Sequence, residues 1–170
     1  MRRYIVIMLG FLITLIFISC DKGIEPLEVV GPSGFEGKVT FEGSWPEGIK
    51  RTHLVVFKEP IKTVDDFFLP NLSFVVDSIP YGTTEYSYNS IDKPFSSIFK
   101  FAAGNYKYVV VAQSKTPEIT FNRADWTVVG VYCESGNQTS PKTMIVLPGK
   151  IANDININVN FQNPPPQPPM

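Results

Sequence analysis

Gly34-Phe35-Glu36-Gly37-Lys38-Val39-Thr40-Phe41-Glu42 decides the fold class. Phe35, Gly37, Val39 and Phe41 share one side of an extended chain, and Glu36, Lys38, Thr40 and Glu42 share the other. Successive side chains of a strand point to opposite faces, so this period of two describes a strand with one face in a core and one in water.

Outward from that stretch, β-branched and aromatic runs return at Thr52 to Lys58, Leu72 to Asp77, Glu85 to Ile91, Ser97 to Phe101, Tyr106 to Gln113, Trp126 to Glu134, Thr143 to Leu147 and Asp154 to Phe161. The last sets Ile155, Ile157, Val159 and Phe161 against a polar face of Asn156, Asn158 and Asn160. Between the runs stand turn formers: Trp45-Pro46-Glu47-Gly48, Ile79-Pro80-Tyr81-Gly82, Asp92-Lys93-Pro94, Ala103-Gly104-Asn105, Ser135-Gly136-Asn137 and Pro148-Gly149. Short strands punctuated in this way predict an all-β chain, an antiparallel sandwich of about seven to nine strands of the immunoglobulin-like kind. The runs at Tyr106 to Gln113 and Trp126 to Tyr132 are apolar on both faces and are expected at the centre of a sheet. Helical character is confined to Lys62 to Phe68, enough for one or two turns.

The two ends differ from this body. Arg2 and Arg3 precede an apolar run from Tyr4 to Ile18 that ends in Phe17-Ile18-Ser19-Cys20, the charged start, greasy middle and small-residue exit of a signal peptide. The run is shorter than the roughly 20 residues a spanning helix needs. Ser19-Cys20 resembles the end of a lipobox, although Phe17 stands where that pattern has a smaller aliphatic residue. The expectation is a signal peptide over 1–19, removed before a lipidated Cys20, then a flexible tether over 20–33, a β-sandwich over 34–162 and a Pro-rich tail over 163–170. Asn163-Pro164-Pro165-Pro166-Gln167-Pro168-Pro169 lacks most ladder donors, so the fold is expected to stop near Gln162.

Charge and cysteine narrow the function classes. Removal of Arg2 and Arg3 takes the 15 basic side chains to 13, against 16 acidic, a formal charge of −3 with the signs interspersed. Nucleic acid is not an expected partner, because its affinity rests on basic surface. With Cys20 lipidated, Cys133 is left alone in an apolar run, and no intramolecular disulfide can form; a buried thiol is expected there rather than a nucleophile.

Several of these stretches together resemble a known group. Gly34 to Phe41, Trp45-Pro46, the strand ending at Val56-Phe57, Ala103 to Ala112 and Trp126 to Tyr132 are similar to bacterial lipoproteins carrying a transthyretin-like, carboxypeptidase-regulatory-type sandwich. That resemblance implies a non-catalytic accessory or surface module over roughly Gly34 to Phe161, and it carries over no functional residues.

Chemistry-bearing motifs are sparse. His53 is the single histidine and lies in a strand run, where a partly exposed or hydrogen-bonded side chain is expected. No Gly-x-Ser-x-Gly elbow or phosphate-cradling glycine loop occurs. Asp65, Asp66, Glu85, Asp92, Glu118 and Asp125 could pair only through the fold, as a glycosidase would require, and those beside loops do not match the spacing of a dedicated calcium loop. No catalytic residue, metal or cofactor is expected. Tyr86 and Tyr88 in Glu85-Tyr86-Ser87-Tyr88-Asn89 share one strand face, a candidate surface for a ligand or partner protein.

The reading is therefore an exported, non-catalytic binding or scaffolding module of the cell envelope. Its lipid on Cys20 holds it at a membrane, with the outer membrane or cell surface preferred over the inner membrane, and an envelope protein or a glycan is its expected partner. A carbohydrate-binding or small apolar ligand-binding module is the alternative, and a glycosidase-type enzyme the third. Production in a bacterial host should yield a chain lacking residues 1–19, heavier by acyl mass and found in membranes, whereas Cys20→Ala should show none of the three. Intact mass and fractionation read this directly, and identical behaviour of the two chains would remove the lipid anchor.

Overall fold

The computed structural model describes residues 31–76, 78–92 and 101–169, all within the unit Gly31–Met170. The leader, Cys20 and all but the last three residues of the tether lie outside the described residues, as does most of the strand expected at Ser97 to Phe101.

The described chain is all-β. Its strands are β1 Gly34–Glu42, β2 Arg51–Phe57, β3 Leu72–Val75, β4 Glu85–Asn89, β5 Gly104–Tyr106, β6 Tyr108–Ser114, β7 Trp126–Val131, β8 Met144–Val146, β9 Ile151–Ala152 and β10 Ile157–Asn160. Helical turns among the described residues are short 3₁₀ segments at Val64–Phe67, Arg123–Asp125 and Glu134–Gly136. The first lies within the expected Lys62 to Phe68. Asp66 closes it by accepting from the backbone N–H groups of Lys62 and Thr63 at 2.9 and 2.8 Å.

One sheet runs β10-β1-β4, with β9 beside the start of β1; a second runs β3-β2-β6-β7; β5 and β8 form a ribbon. The ladders are antiparallel except where β1 meets β9 and β10, which run parallel to it. Both parallel partners arrive more than a hundred residues after β1, and so long a connection lets a strand enter in either direction, where a hairpin would not.

The two main sheets close on a shared core. Phe35, Val39, Tyr88, Ile157 and Val159 come from the first, and Leu54, Val56, Phe74, Val109, Val111 and Val129 from the second. Phe35 joins them, with its ring edge-on to Phe74 at 5.7 Å and to Tyr88 at 5.8 Å, arrangements that add to the burial of the rings themselves. Two glycines permit close approach, Gly37 to the segment that leads into β10 beside it and Gly130 to the opposite sheet. A Cβ on Gly37 would collide with the Ile155 carbonyl, and one on Gly130 would stand 2.7 Å from Val159 Cγ2.

The second sheet is covered on its far side as well. Val55, Phe57, Leu72, Tyr108, Val110, Ala112, Trp126, Val128 and Val131 form a separate apolar cluster there, so β2 and β6 have almost no polar face. β6 is central, between β2 and β7, as its composition predicts. β7 is not: it is the edge of its sheet. Its second apolar face is explained by cover from outside the sheet rather than by a flanking strand.

Part of that cover is the Pro-rich tail. The last ladder ends at Asn160, close to the expected limit, but packing continues beyond it: Pro165 and Pro168 are buried. Gln167 lays its side-chain amide along the open edge of β7, accepting from Val128 N–H at 2.8 Å and donating to Val128 C=O at 2.8 Å. Gln138 likewise accepts from Val131 N–H at 3.2 Å and donates to Asn163 C=O at 3.2 Å. Two side-chain amides thus stand in for a missing neighbour strand, satisfying backbone groups that prolines cannot pair. Exposed substitutions normally fall within about 0.5 kcal/mol of neutral, yet Gln167→Ala is expected to lower unfolding stability by about 1–3 kcal/mol, because it strands both polar groups of Val128. Urea unfolding measures this, and a variant indistinguishable from wild type would mean that water satisfies the β7 edge equally well.

Candidate functional site

The far side of the second sheet is also where the molecule has a concave apolar site. β2 contributes His53, Val55 and Phe57 to its floor, β6 contributes Val110 and Ala112, and β7 contributes Trp126 and Val128, with Leu72 and Val75 of β3 at one side. Ile61, Phe67, Ile119, Thr120, Phe121 and Arg123 form the opposing wall. These come from loops and 3₁₀ turns, which cannot interlock with a pleated surface as a second sheet does, and a cavity of about 140 Å³ is left between them. Phe121 is 60% exposed and Val64 and Phe68 are also exposed, so the apolar lining continues to an open lip. Phe68 stands 5.7 Å, ring to ring, from the lining Phe67.

The 115–125 wall is held in place by its own polar groups. Thr120 Oγ1 donates to Asp125 at 2.7 Å, Asn122 accepts from Ala124 N–H at 3.2 Å, and Trp126 Nε1 donates to Thr120 C=O at 2.9 Å. Arg51 Nε reaches Pro117 C=O at 2.6 Å. Within this wall Arg123 is only 4% exposed. Its Nη1 donates to Trp126 C=O and its Nη2 to Pro168 C=O at 3.0 Å, so the guanidinium ties the wall to the docked tail. Burial disfavours its charged form and pulls its pKa below the ordinary arginine value, an effect partly opposed by Tyr108.

His53, expected partly exposed or hydrogen-bonded, is fully buried and hydrogen-bonded. Its Nδ1 lies 3.1 Å from the Val76 carbonyl oxygen and its ring stands edge-on to Trp126 at 5.9 Å. A carbonyl only accepts, so Nδ1 carries the proton in that bond. Cys133, expected buried, is half-buried, and desolvation raises its thiol pKa.

Tyr86 and Tyr88 do not form an exposed aromatic surface. Their shared face is the inner one: Tyr88 is buried and donates to the Ile155 carbonyl, and Tyr86 packs against the core. The exposed aromatics lie elsewhere. Trp45 sits between Phe41 at 4.6 Å, Tyr81 at 5.2 Å and Phe161 at 5.3 Å, with Tyr81 largely exposed. Trp45 and Tyr81 occur in stretches that carry strong turn signals, which hides any second role.

Three of the six acidic candidates are engaged locally. Glu85 pairs with Lys38 at 3.0 Å, Asp66 caps its turn and Asp125 braces the 115–125 wall. Among the described residues no three His, Cys, Asp or Glu side chains are placed to hold a metal ion. The asparagine face of β10 is used for strand pairing: Asn156 accepts from Lys38 N–H at 2.9 Å, Asn158 accepts from Thr40 Oγ1 at 3.2 Å, and Asn158 donates to Glu42 at 3.0 Å. No protein-family model, curated protein or solved structure matches this chain.

Tyr108, in the apolar cluster on this side of the sheet, is pushed by burial up to about 12, with the Arg123 guanidinium pulling the other way. A phenol whose folded pKa exceeds its ordinary value of 10.0 contributes stability that is whole below that value and lost as pH rises through the folded one. Unfolding stability should therefore fall between about pH 10 and pH 12, and Tyr108→Phe should flatten that fall. Urea midpoints at pH 8, 10 and 11 test this; an equal slope in the variant would assign the alkaline loss to other groups.

Proposed function

We propose that this chain is a non-catalytic binding module, held at the bacterial cell envelope by lipid on Cys20, which takes a small apolar ligand into the cavity on the outer face of the β3-β2-β6-β7 sheet. The observation that carries the reading is the lining itself, an aromatic and aliphatic basin with few polar groups and a lip open at Phe121. Small-molecule sites have this character, although drug-sized ligands occupy roughly 300–1,000 Å³. A space of about 140 Å³ suits a smaller body; an apolar cavity of about 150 Å³ holds benzene. Lipid anchoring would confine the module beside whatever releases or receives the ligand, raising its effective concentration there.

Docking of an envelope protein is a second reading, favoured by the exposed Val64, Phe68 and Leu69 beside the cavity. The two separate on one substitution. Ala112 lies in the cavity floor, and Ala112→Leu fills the space without touching the lip. Fluorine NMR titration with 4-fluorotoluene should show saturable binding to wild type that is weakened at least tenfold in Ala112→Leu, at unchanged or higher melting temperature. Equal binding by both chains would place the apolar ligand outside the cavity.

A further inference from the structure

The chain enters the described fold beside a turn that carries exposed apolar side chains. Gly149 N–H donates to Ser33 Oγ at 2.9 Å, Gly34 N–H donates to Lys150 C=O at 3.0 Å, and a Cβ on Gly31 would lie 4.0 Å from the Gly149 carbonyl oxygen. The turn Leu147-Pro148-Gly149-Lys150, closed by Lys150 N–H on Leu147 C=O at 3.1 Å, is thereby pinned to residues 31–34. β8 runs into it with Met144 and Val146 buried, and with Ile145 60% and Leu147 59% exposed. The alternation of a strand puts that exposed pair on one side. Pro148 and Lys150 are exposed as well, and Lys150 belongs to neither ion pair found among the described residues. From Ser135 to Asn153 the sequence holds Lys142 and Lys150 and no acid.

Single exposed aliphatics are ordinary on a protein surface; here their place gives them meaning. Cys20 lies eleven residues before Gly31, so the chain between them reaches at most about 40 Å, and the end of the domain entered at Gly31 has the shortest path to the lipid. We propose that Ile145 and Leu147 dock on the bilayer that holds the Cys20 lipid, seated at the interface with Lys150 at the phosphate groups. The inference rests on the lipid anchor proposed above. A lysine stem lies along apolar surface while its ammonium reaches the head groups, and anionic lipid attracts it. Two aliphatic side chains are too few to hold a free protein on a membrane; the anchor supplies the local concentration, and the pair needs only to select which face meets the bilayer.

The full chain, purified with its lipid and reconstituted into vesicles of phosphatidylcholine and phosphatidylglycerol with or without brominated acyl chains, tests this, because bromine quenches the tryptophans it reaches. Emission of wild type, from Trp45 and Trp126, is subtracted from that of Leu147→Trp and of Val64→Trp, whose site is exposed near the cavity lip. A side chain seated at the boundary of head groups and acyl chains should lose about half its emission or more in brominated vesicles, so Leu147→Trp should be quenched and Val64→Trp should not. Lys150→Glu added to Leu147→Trp should reduce the quenching, and undiminished quenching there overturns the lysine's part in the contact. In a chain that carries acyl mass and floats with the vesicles, an unquenched Leu147→Trp, or equal quenching at both positions, overturns the docked face and leaves the anchor standing. A chain without acyl mass that does not float overturns both. Both probes replace exposed side chains, so neither requires the core to repack.

Discussion

β6 leaves no face to water. Tyr108, Val110 and Ala112 look one way and Val109 and Val111 the other, all buried, and most of the remaining architecture follows from the need to cover both sides. A second sheet covers one side, and β1 carries the pattern for it, with Phe35, Val39 and Phe41 turned inward. Among the described residues no sheet lies over the other side, since the β5-β8 ribbon joins the shared core. Loops cover it instead, drawn from 58–71, from 115–125 and from the chain's last residues. Loops must also satisfy their own backbone polar groups, which explains the dense local bonding of Asn71, Thr120 and Asn122. They pack a pleated face less completely than strands do, and the cavity is what remains.

The part of this that was legible in the sequence is the part governed by period. The alternation at Gly34 to Glu42 and at Ile155 to Phe161 placed the strand faces correctly, because one buried and one wet face leave a readable signature. β7 shows the limit of that signal. Its residues are apolar on both sides, which a centre strand and a covered edge strand share, and only the fold reveals that Gln167 and Gln138 occupy the edge. Tyr86 and Tyr88 show a second limit: period two states that they share a face, and says nothing about which face is wet. The cavity wall had no signal of this kind, since Ile119, Thr120, Phe121 and Arg123 follow no period and are brought over the sheet by turns and side-chain hydrogen bonds.

The tail and the cavity are linked through one side chain. Arg123 holds Pro168 with one amino group and Trp126 with the other, while Gln167, one residue earlier, clasps the neighbouring strand. The Pro-rich end is thereby part of the site's support. Proline suits the task, since a segment already restricted in φ loses less conformational entropy when it docks. The few donors it lacks are replaced by glutamine amides on either side.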